Sequence, residues 1–381
     1  MESPDLTAPA YWNDPGIDIR VNPRLPLDTE GLENFLLAEG FASLVVLPTS
    51  GSGGVPKFVL LEKRALLASA AAVNAHARLT RHDSWLCPLA TFHAGGLGIF
   101  ARAHLSGANV IRLPWDEWEP DGTRFVEACL AHWIAVTSLT PVHLYDLVAR
   151  RVRAPESLRV VFIGGGALSP SLAARAHGLG WPLWVSYGMT EAASQIATSS
   201  HGETGWLPVL DHWEFEAGRG SRTAPLRIRG PALFSGYAVR DPDGAWRLDN
   251  PVDEGGWFTT GDLCVAQERG LRFVARADDT VKILGELVSV SRVESELNED
   301  LEAVGGIGAV VAIPEARRGH ALVAFVEGGE TTRRRAEAFR TIQPAVERVS
   351  SVVRLDRLPR TGVGKVDRGE LRKLAAAGET A

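Results

Sequence analysis

Short apolar runs alternate with segments of helical spacing over the N-terminal half of the chain. The runs SLVVLPTS, RVVFIGGG and PLWVSYG have the length and composition of buried strands. Between them, an Ala-rich segment after Phe58 and the segment SPSLAARAHGL, which Ser169 caps, predict helices. Strands that alternate with helices are typical of an α/β domain with a largely parallel sheet.

Two other patterns follow toward the C-terminus. From about 205 to 275, short strands such as LRIRG and LRFVARAD alternate with turn residues, which indicates a β-rich section. Beyond RADD, a helix SRVESELNEDL, strands GAVVAIP and ALVAFVEGG and a basic helix TTRRRAEAFRTIQPAVERV predict a small α+β domain. We therefore predict two domains, residues 1–276 and residues 277–381.

The N-terminal segment has a weaker pattern. Its prolines predict irregular structure over residues 1 to about 30. In the segment GLENFLLAEGF, the spacing of Leu32, Phe35 and Leu36 predicts a helix, and Gly40 provides a stop.

Composition narrows the classes of protein. The chain has 381 residues, 45% of them hydrophobic, and a net charge of −6, so it has no global electrostatic reason to bind nucleic acid or an anionic membrane. Cys87, Cys129 and Cys264 lie far apart and form no disulfide framework, which favours a reducing compartment. The start carries acids and no apolar region, and no apolar run reaches the roughly 18 residues of a membrane helix. We expect a soluble cytoplasmic protein.

A loop rich in glycine and hydroxyl residues lies between two apolar runs, with the sequence TSGSGGVPK from Thr49 to Lys57. Glycines let backbone N–H groups converge on an anion, and the lysine adds positive charge. The loop is not a P-loop, because Pro56 precedes the lysine and no Ser or Thr follows it. By itself the segment fits a phosphate loop and a plain Gly-rich turn equally well.

Four further motifs follow in order, YGMTE, GWFTTGD, ARADDTVKILGE and PRTGVGKVDR. Each has an ordinary interpretation when it is taken alone. The first fits a strand-to-helix turn that Thr190 caps, and the second fits a surface turn around Asp262. The third fits a solvated run of charges, and Lys365 in the fourth fits a solvated surface lysine.

Taken together and in this order, the motifs resemble those of the adenylate-forming superfamily, which contains acyl-CoA synthetases, peptide-synthetase adenylation domains and luciferases. The resemblance runs from about Leu44 to Leu374. It implies an α/β large domain, with parallel-rich sheets and a β-rich section, and a small mobile α+β C-terminal domain. It also implies a ligase that uses ATP and Mg²⁺ to join a carboxylic acid to AMP and then transfers the acyl group to CoA.

The resemblance implies a role for each matching residue. In the loop, Thr49, Ser50, Gly51, Ser52 and Lys57 are implied to surround the β- and γ-phosphates of ATP. Many members of the superfamily carry two adjacent hydroxyl residues where this chain has Ser52 and Gly53. The loss of one hydrogen bond costs about 1 kcal/mol, so we expect weaker nucleotide binding rather than no activity.

The adenine, the α-phosphate and the metal ion are assigned to the middle of the chain. Tyr187 is implied to stack on the base, Thr190 to contact the α-phosphate, and Glu191 to hold Mg²⁺. The adenine side is implied to be lined by Gly164, Gly165 and Gly166.

The remaining roles belong to residues near and beyond the predicted domain boundary. Asp262 and Arg276 are implied to bind the ribose hydroxyls. Asp278 is the implied hinge, and Gly285 is implied to line the tunnel for the pantetheine arm. Lys365 is implied to bridge the substrate carboxylate and the α-phosphate during adenylation.

The loop also begins close to the start of the chain, where most members have a long preceding segment, so we expect an N-terminally shortened fold. All nucleotide motifs lie downstream of that segment, and a shortened fold still holds every one of them.

The segment FHAGGLGIFAR bears on the identity of the acid. Arg102 lies in an apolar helical context, and a buried arginine needs an anionic partner, although an arginine that extends to solvent is common. His93 fits a core histidine or a substrate contact equally well. With SLTPVHLYDLV, which contains Ser138, and LRVVFIGGGALSP, the segment resembles the o-succinylbenzoate–CoA ligases of menaquinone biosynthesis. His143 departs from the Gln that is frequent in that family.

The resemblance implies an aromatic keto acid with a second carboxylate as substrate. Arg102 is the candidate partner of one anionic group, and His93 and Ser138 are further candidates for the substrate pocket. Three alternatives stay open: another small aryl- or acyl-CoA ligase, an adenylation enzyme that loads a carrier-protein thiol, and a non-catalytic nucleotide-binding derivative. The sequence also leaves the oligomeric state open, a homodimer included.

Overall fold

A computed structural model of the chain describes residues 5–24, 27–50, 56–115, 122–200, 205–360 and 366–378. The chain divides into two units. The large unit contains residues 1–260 and 265–272, and the small unit contains residues 261–264 and 273–381.

The large unit alternates strands and helices up to about residue 200 and is mainly β-structure afterwards. In chain order its first part forms α1 (Pro9–Asn13), β1 (Ile17–Ile19), α2 (Leu32–Ala38), β2 (Leu44–Ser50), β3 (Pro56–Glu62), α3 (Lys63–His76), β4 (Trp85–Cys87), α4 (Ala94–Ser106), β5 (Val110–Arg112), α5 (Thr123–Ala131), β6 (Val136–Leu139), α6 (Pro141–Ala149), β7 (Val160–Ile163), α7 (Pro170–Gly178), β8 (Leu183–Met189) and β9 (Ser194–Thr198). The later part forms β10 (Leu207–Pro208), β11 (Glu214–Glu216), β12 (Gly218–Arg219), β13 (Ala224–Arg229), β14 (Tyr237–Arg240), β15 (Trp246–Asp249), β16 (Phe258–Gln267) and β17 (Gly270–Arg276), and the last two strands cross the boundary between the units.

A mostly parallel sheet with the strand order β5-β4-β6-β7-β8-β9 forms the centre of the large unit. Strands β5, β4, β6, β7 and β8 are parallel to their neighbours, and β9 is antiparallel to β8. One face of the sheet packs against α5, α6 and α7 through a buried cluster that includes Phe125, Leu144 and Trp181. Alternate residues of each strand point to the other face, where α4 packs.

A second sheet, in the order β1-β2-β3-β14-β15, contains the hairpin that carries the Gly-rich loop. Its buried side chains, Phe58 and Leu60 among them, pack against Leu32 and Leu36 of α2. A third sheet has the order β10-β17-β16-β13-β11, with β12 paired to β16.

The small unit is an α+β structure. It contains β18 (Thr280–Ile283), β19 (Glu286–Ser289), α8 (Val290–Glu302), β20 (Ile307–Glu315), β21 (Gly319–Glu327), α9 (Glu330–Ile342), β22 (Val349–Leu355) and α10 (Arg368–Gly378). The sheet β20-β21-β22 packs against α8 and α9 on one face and α10 on the other.

Most predicted elements are confirmed, including the Ser169 cap, whose hydroxyl oxygen accepts a hydrogen bond from the Leu172 N–H at 3.1 Å. Two expectations are wrong. The N-terminal segment contains α1 and β1, because β1 adds a strand to the edge of the second sheet. The basic helix α9 ends at Ile342, because Pro344 disfavours the helical conformation just before it.

The structure also rules out the ordinary interpretation of YGMTE, a strand-to-helix turn that Thr190 caps. Residues Thr190–Ala192 form a single 3₁₀ turn between the antiparallel strands β8 and β9, so Thr190 caps no α-helix. In the part of the chain that is described, no helix is long and apolar enough to cross a membrane.

Candidate active site

The strands of the central sheet bring several predicted site residues to one edge. Because β4, β6, β7 and β8 are parallel, their carboxyl ends share that edge, where ligands bind in open α/β sheets. Gly164 follows β7, Thr140 follows β6, and His93 lies between β4 and α4.

Two of the three glycines after β7 are constrained by their surroundings. A Cβ on Gly164 would lie 2.7 Å from the hydroxyl oxygen of Ser186, and Gly165 has a φ of +77°. A side chain at Gly164 would therefore collide with β8, and one at Gly165 would be strained. Gly166 lies beside Pro141, and Tyr187 lies half-buried in β8, the neighbouring strand.

The Gly-rich loop closes a β-hairpin. Thr49 pairs with Lys57 and Ser50 with Pro56 at the last described positions of β2 and β3. Gly51, Ser52 and Gly53 lie outside the described residues. The hairpin is compatible with both interpretations of the loop, since a phosphate loop and a plain turn each join two strands.

Lys57 carries the positive charge beside this loop. Its ammonium lies 3.2 Å from the Asp249 carboxylate and 4.7 Å from the centre of the Tyr237 ring. The side chain is about one-third exposed, so an incoming phosphate can reach the ammonium. An exposed ion pair of this kind is worth at most about 1 kcal/mol, and an anionic ligand easily displaces Asp249.

Glu191 lies in the 3₁₀ turn between β8 and β9. The Tyr237 hydroxyl donates a 2.9 Å hydrogen bond to Glu191 Oε1, and the Phe234 N–H donates one to the Glu191 carbonyl at 2.9 Å. The turn requires close approach of the two strands, because a Cβ on Gly188 would lie 1.7 Å from the Ser194 carbonyl oxygen. Glycine is therefore the residue that this position accepts.

A fully buried cation lies on the α4 face of the central sheet. Arg102 is 1% exposed, and its guanidinium lies 5.8 Å from the ring centres of both Trp85 and Phe162. Its Nη2 donates to the Ser194 hydroxyl at 3.0 Å, and its Nε has no hydrogen-bond partner. Among the described residues no carboxylate pairs with it. Burial lowers the pKa of Arg102 to about 10, so it stays charged at neutral pH.

The other predicted residues on the acid side are also buried or half-buried. The Ser138 hydroxyl in β6 is buried and has no partner within the described part of the chain. His93 is the N-cap residue of α4, and its ring packs edge-on against Phe92 at 4.6 Å. His143 stacks on Trp115 at 4.1 Å and closes a capping box with Thr140 at the start of α6. Burial lowers its pKa to about 4.

Two predicted ribose ligands lie together in the small unit. Arg276 Nε is 3.8 Å from Asp262 Oδ1, with Asp262 buried and Arg276 more than half exposed. A buried carboxylate held by a guanidinium is a fixed acceptor for hydroxyl donors.

The rest of the predicted set is placed as follows. Asp278 lies in the 3₁₀ turn Ala277–Asp279, and Gly285 lies in the β18–β19 turn with a φ of +89°. Lys365 lies outside the described residues.

The structure also brings in residues that the sequence did not suggest, namely Tyr237, Asp249 and Ser194. Tyr237 and Glu191 are separated by 46 residues and meet through packing of two different sheets. No local pattern signals such a contact, because each residue alone fits an ordinary strand or turn.

The described part of the site contains a carboxylate that fits Mg²⁺. Within the described ranges, no group of three or more His, Cys, Asp or Glu residues forms a metal cage. Mg²⁺ is usually held by one or two carboxylates together with substrate phosphates, so a cage is not required. Glu191 fits this arrangement, since Tyr237 engages its Oε1 and the residue is half-exposed.

Comparison with known proteins assigns the chain to a family. The family model described as AMP-binding enzyme matches residues 39–238 of the 381. A 2-succinylbenzoate–CoA ligase from Bacillus cytotoxicus is 30% identical over 361 residues, which cover 90% of this chain and 72% of the relative. A ligase of the same name from Bacillus cereus is 29% identical over 360 residues, with the same coverage.

Solved structures show the same fold. The o-succinylbenzoate CoA synthetase of Bacillus subtilis, in complex with the acyl-adenylate intermediate OSB-AMP, matches with a TM-score of 0.72 and 24% identity, over 86% of this chain and 68% of that one. An Escherichia coli MenE variant with bound OSB-AMS matches with a TM-score of 0.70 and 25% identity, over 87% of this chain and 69% of that one.

The chain therefore belongs to the family of AMP-binding enzymes. The predicted α/β large domain with a smaller C-terminal region and the resemblance to the adenylate-forming superfamily, which includes o-succinylbenzoate–CoA ligases, are confirmed. The chain is an AMP-forming ligase of the acyl-CoA synthetase type.

Proposed function

We propose that this protein is an o-succinylbenzoate–CoA ligase, which uses ATP, Mg²⁺ and CoA. The observation that carries the choice of acid is Arg102, a buried cation without a carboxylate partner in the described structure. A dicarboxylic acid supplies that partner, whereas a fatty acid or benzoate uses its single carboxylate in the reaction. The relatives named 2-succinylbenzoate–CoA ligase support the same acid.

In the first step the substrate carboxylate attacks the α-phosphorus of ATP. A new P–O bond forms, the bond to the β-phosphate oxygen breaks, and pyrophosphate leaves. Lys57 and the loop with Thr49, Ser50, Gly51 and Ser52 hold the β- and γ-phosphates. Fixed positive charge and donors aimed at the phosphates stabilise the charge that spreads in the transition state.

Each part of the nucleotide has its own assigned residues. Tyr187 stacks on the adenine, the glycines after β7 leave room for it, and Thr190 donates to the α-phosphate. The Asp262 carboxylate accepts hydrogen bonds from the ribose hydroxyls, and Arg276 holds that carboxylate in place. Bound Mg²⁺ neutralises phosphate charge, and Glu191 is the carboxylate that holds it.

In the second step the CoA thiolate attacks the acyl carbonyl carbon, and the C–O bond to AMP breaks. The small unit carries both Lys365, which serves adenylation, and Gly285, which lines the thiol tunnel. One site then serves both steps by a swing of the small unit about Asp278, with residues 1–276 and 277–381 as the moving parts.

The substrate acid lies on the α4 face of the central sheet. Arg102 pairs with the carboxylate that does not react, and the aromatic rings of Trp85 and Phe162 keep that pair away from water. Ser138 donates a hydrogen bond in the same region, and His93 lies at the entrance beside the carboxyl edge of the sheet.

The three cysteines are free and buried, which supports a cytoplasmic location. Light scattering on the purified protein measures whether it forms a homodimer. Cell fractionation with a tagged chain checks the location.

The experiment that tests the function is pyrophosphate release with Mg-ATP, CoA and a panel of acids, namely o-succinylbenzoate, benzoate and medium-chain fatty acids. Strong release with o-succinylbenzoate alone is the expected result. Pyrophosphate release with a different acid would support the adenylation reaction but contradict o-succinylbenzoate as the substrate. Failure with every acid, in a protein that still unfolds cooperatively, contradicts the proposal.

The role of Lys365 has its own test. We expect Lys365→Ala to lower adenylation at least a thousandfold and to leave CoA transfer from a preformed acyl-adenylate within about twofold. Lys373→Ala, which removes an exposed lysine of the same unit, is the matched control. Equal loss of both half-reactions in Lys365→Ala contradicts the domain swing.

A further inference from the structure

Tyr237 stands between the Gly-rich hairpin and the residue assigned to the metal ion. It begins β14, which pairs with β3 of the hairpin on one side and β15 on the other. Tyr237 lies opposite Val59 and opposite Asp249. Since Lys57 is two residues before Val59, side-chain alternation places Lys57, Tyr237 and Asp249 on one face of the sheet.

The hydroxyl end of Tyr237 reaches a different sheet. It donates to Glu191 Oε1 at 2.9 Å, while the backbone N–H of Phe234, in the same segment, donates to the Glu191 carbonyl at 2.9 Å. The segment therefore holds Glu191 by its main chain and by its side chain. Edge-on packing of Tyr237 on Phe234, at 4.8 Å, fixes the tyrosine ring.

The ring of Tyr237 faces the other charged group of the site. Lys57 Nζ lies 4.7 Å from the ring centre, within the range of a cation–π interaction. One side chain thus contacts both the cation assigned to the phosphates and the carboxylate assigned to the metal ion. Tyr237 is 8% exposed, so its position is fixed by its surroundings and not by solvent.

We propose that Tyr237 is a positioning residue for the Mg²⁺–triphosphate complex, an inference that rests on the proposed function of Glu191 and Lys57. Its hydroxyl holds Oε1 of Glu191 and so directs Oε2 toward the metal ion. Its ring holds the Lys57 ammonium beside the loop. Tyr237 therefore fixes the distance between Glu191, which binds the metal ion, and Lys57, which binds the phosphates.

The physical reason is preorganisation. A glutamate side chain has three rotatable bonds, and a carboxylate that is free to rotate must be ordered when the metal ion binds. A hydrogen bond made before binding removes part of that cost. The effect acts on the metal complex and not on the acid, so it is visible in nucleotide binding alone.

The decisive variant is Tyr237→Phe, which keeps the ring and its contact with Lys57 and removes only the hydroxyl. The measurement is calorimetric binding of ATP to the full-length protein at a series of Mg²⁺ concentrations, without any acid or CoA. We expect the Mg²⁺ concentration for half-maximal ATP binding to rise about tenfold. ATP affinity without Mg²⁺ should change less than twofold.

Tyr11→Phe is the matched control. The Tyr11 hydroxyl also donates to a carboxylate, Asp18 Oδ2 at 2.6 Å, and Tyr11 is also 8% exposed. Its partners Asp18 and Lys63 lie at the end of the β2–β3 hairpin opposite the Gly-rich loop. We expect Tyr11→Phe to leave the Mg²⁺ dependence of ATP binding unchanged. Thermal unfolding of both variants separates a loss of stability from a change in metal binding.

The outcomes distinguish this inference from the function on which it rests. An unchanged Mg²⁺ dependence in Tyr237→Phe overturns the role of Tyr237 while the wild-type protein still binds Mg-ATP. An equal shift in Tyr11→Phe shows a general effect of lost stability and also overturns it. Absence of Mg²⁺-dependent ATP binding in the wild-type protein overturns both the inference and the assigned role of Glu191. If no acid of the panel releases pyrophosphate while ATP binding still depends on Mg²⁺, the proposed acid is overturned. The role of Tyr237 then depends only on the Mg²⁺ concentration for half-maximal ATP binding in Tyr237→Phe.

Discussion

Two buried cations of the large unit, Lys63 and Arg102, have opposite surroundings. Lys63 is 2% exposed and Arg102 is 1% exposed, and each lies near aromatic rings. Burial alone therefore does not separate them. The difference lies in how many of their N–H donors have acceptors.

Lys63 has both hydrogen-bond acceptors and an opposite charge. Its ammonium donates to the carbonyl oxygens of Tyr11 and Asp14, both at 2.8 Å, and lies 3.5 Å from the Asp14 carboxylate. Two of the three ammonium donors therefore have carbonyl acceptors, and the carboxylate balances the charge. Lys63 thus attaches the N-terminal segment to the start of α3, and its role is structural.

Arg102 is not satisfied in this way. A guanidinium has five N–H donors, and the described structure gives a hydroxyl acceptor at Ser194 and no acceptor at Nε. A buried charge without a counter-ion costs several kcal/mol of stability. A protein retains such a group where a ligand completes it, so the comparison separates a lysine that holds the fold from an arginine that binds an anion.

Within the comparison of buried cations, the largest expected effect comes from Arg102→Met, which keeps apolar volume and removes the charge. We expect kcat/KM for o-succinylbenzoate to fall at least a hundredfold, equivalent to about 2.7 kcal/mol, because the second carboxylate loses its partner. KM for ATP should change less than twofold. The free energy of unfolding should not fall, because the desolvation cost of the charge is removed as well.

Steady-state kinetics and urea unfolding measure these two quantities. The control is Arg64→Met, which removes an arginine whose side chain is 82% exposed in the same unit. An Arg102→Met protein with unchanged kinetics and lower stability would make Arg102 a structural residue like Lys63.

The second largest expected effect is the loss of stability when Lys63 is replaced. We expect Lys63→Met to lower the free energy of unfolding by about 2 kcal/mol, because the buried carbonyl oxygen of Tyr11 and the partly buried carbonyl oxygen of Asp14 lose their donor. The kinetics of the folded protein should stay within about twofold of wild type. Urea unfolding, with the same Arg64→Met control, tests this. Loss of acid binding without loss of stability would reverse the assignment of the two cations.

The smallest expected effect is on the pH dependence of stability and comes from His143, a buried and neutral histidine. Burial lowers the pKa of His143 from its ordinary value of 6.5 to about 4, so the native state binds fewer protons than the unfolded state. The stability that depends on neutral His143 is therefore fully present above pH 6.5 and is lost progressively as the pH falls toward 4. By linkage, His143 costs about 1 kcal/mol at pH 5.5 relative to pH 7.

His143→Gln removes this titration. Glutamine at this position can still close the capping box with Thr140, so the helix start is preserved. We expect the difference in unfolding free energy between pH 7 and pH 5.5 to be about 1 kcal/mol smaller in the variant. His212, whose pKa burial also lowers to about 4, titrates equally in both proteins and cancels. Parallel pH profiles would contradict the prediction.

Local patterns predicted the elements well where one physical cause acts over a few residues. Ser169 caps its helix as predicted, because a cap depends on a hydroxyl and the next turn. The 3₁₀ turn at Thr190 was not predicted, since the chain leaves β8 for an antiparallel partner strand instead of a helix. The choice between these two continuations depends on the sheet and not on the turn residues.

The sequence by itself determined the order of the motifs, the alternation of strands and helices, and the identity of most candidate side chains. Only the tertiary structure decided that Lys63 has acceptors while Arg102 Nε has none, and that Tyr237 reaches Glu191. The physical reason is the separation along the chain over which each kind of interaction acts. Periodicity and capping act between residues a few positions apart, whereas the Lys63 and Tyr237 contacts join residues 52 and 46 positions apart, which only tertiary packing brings together.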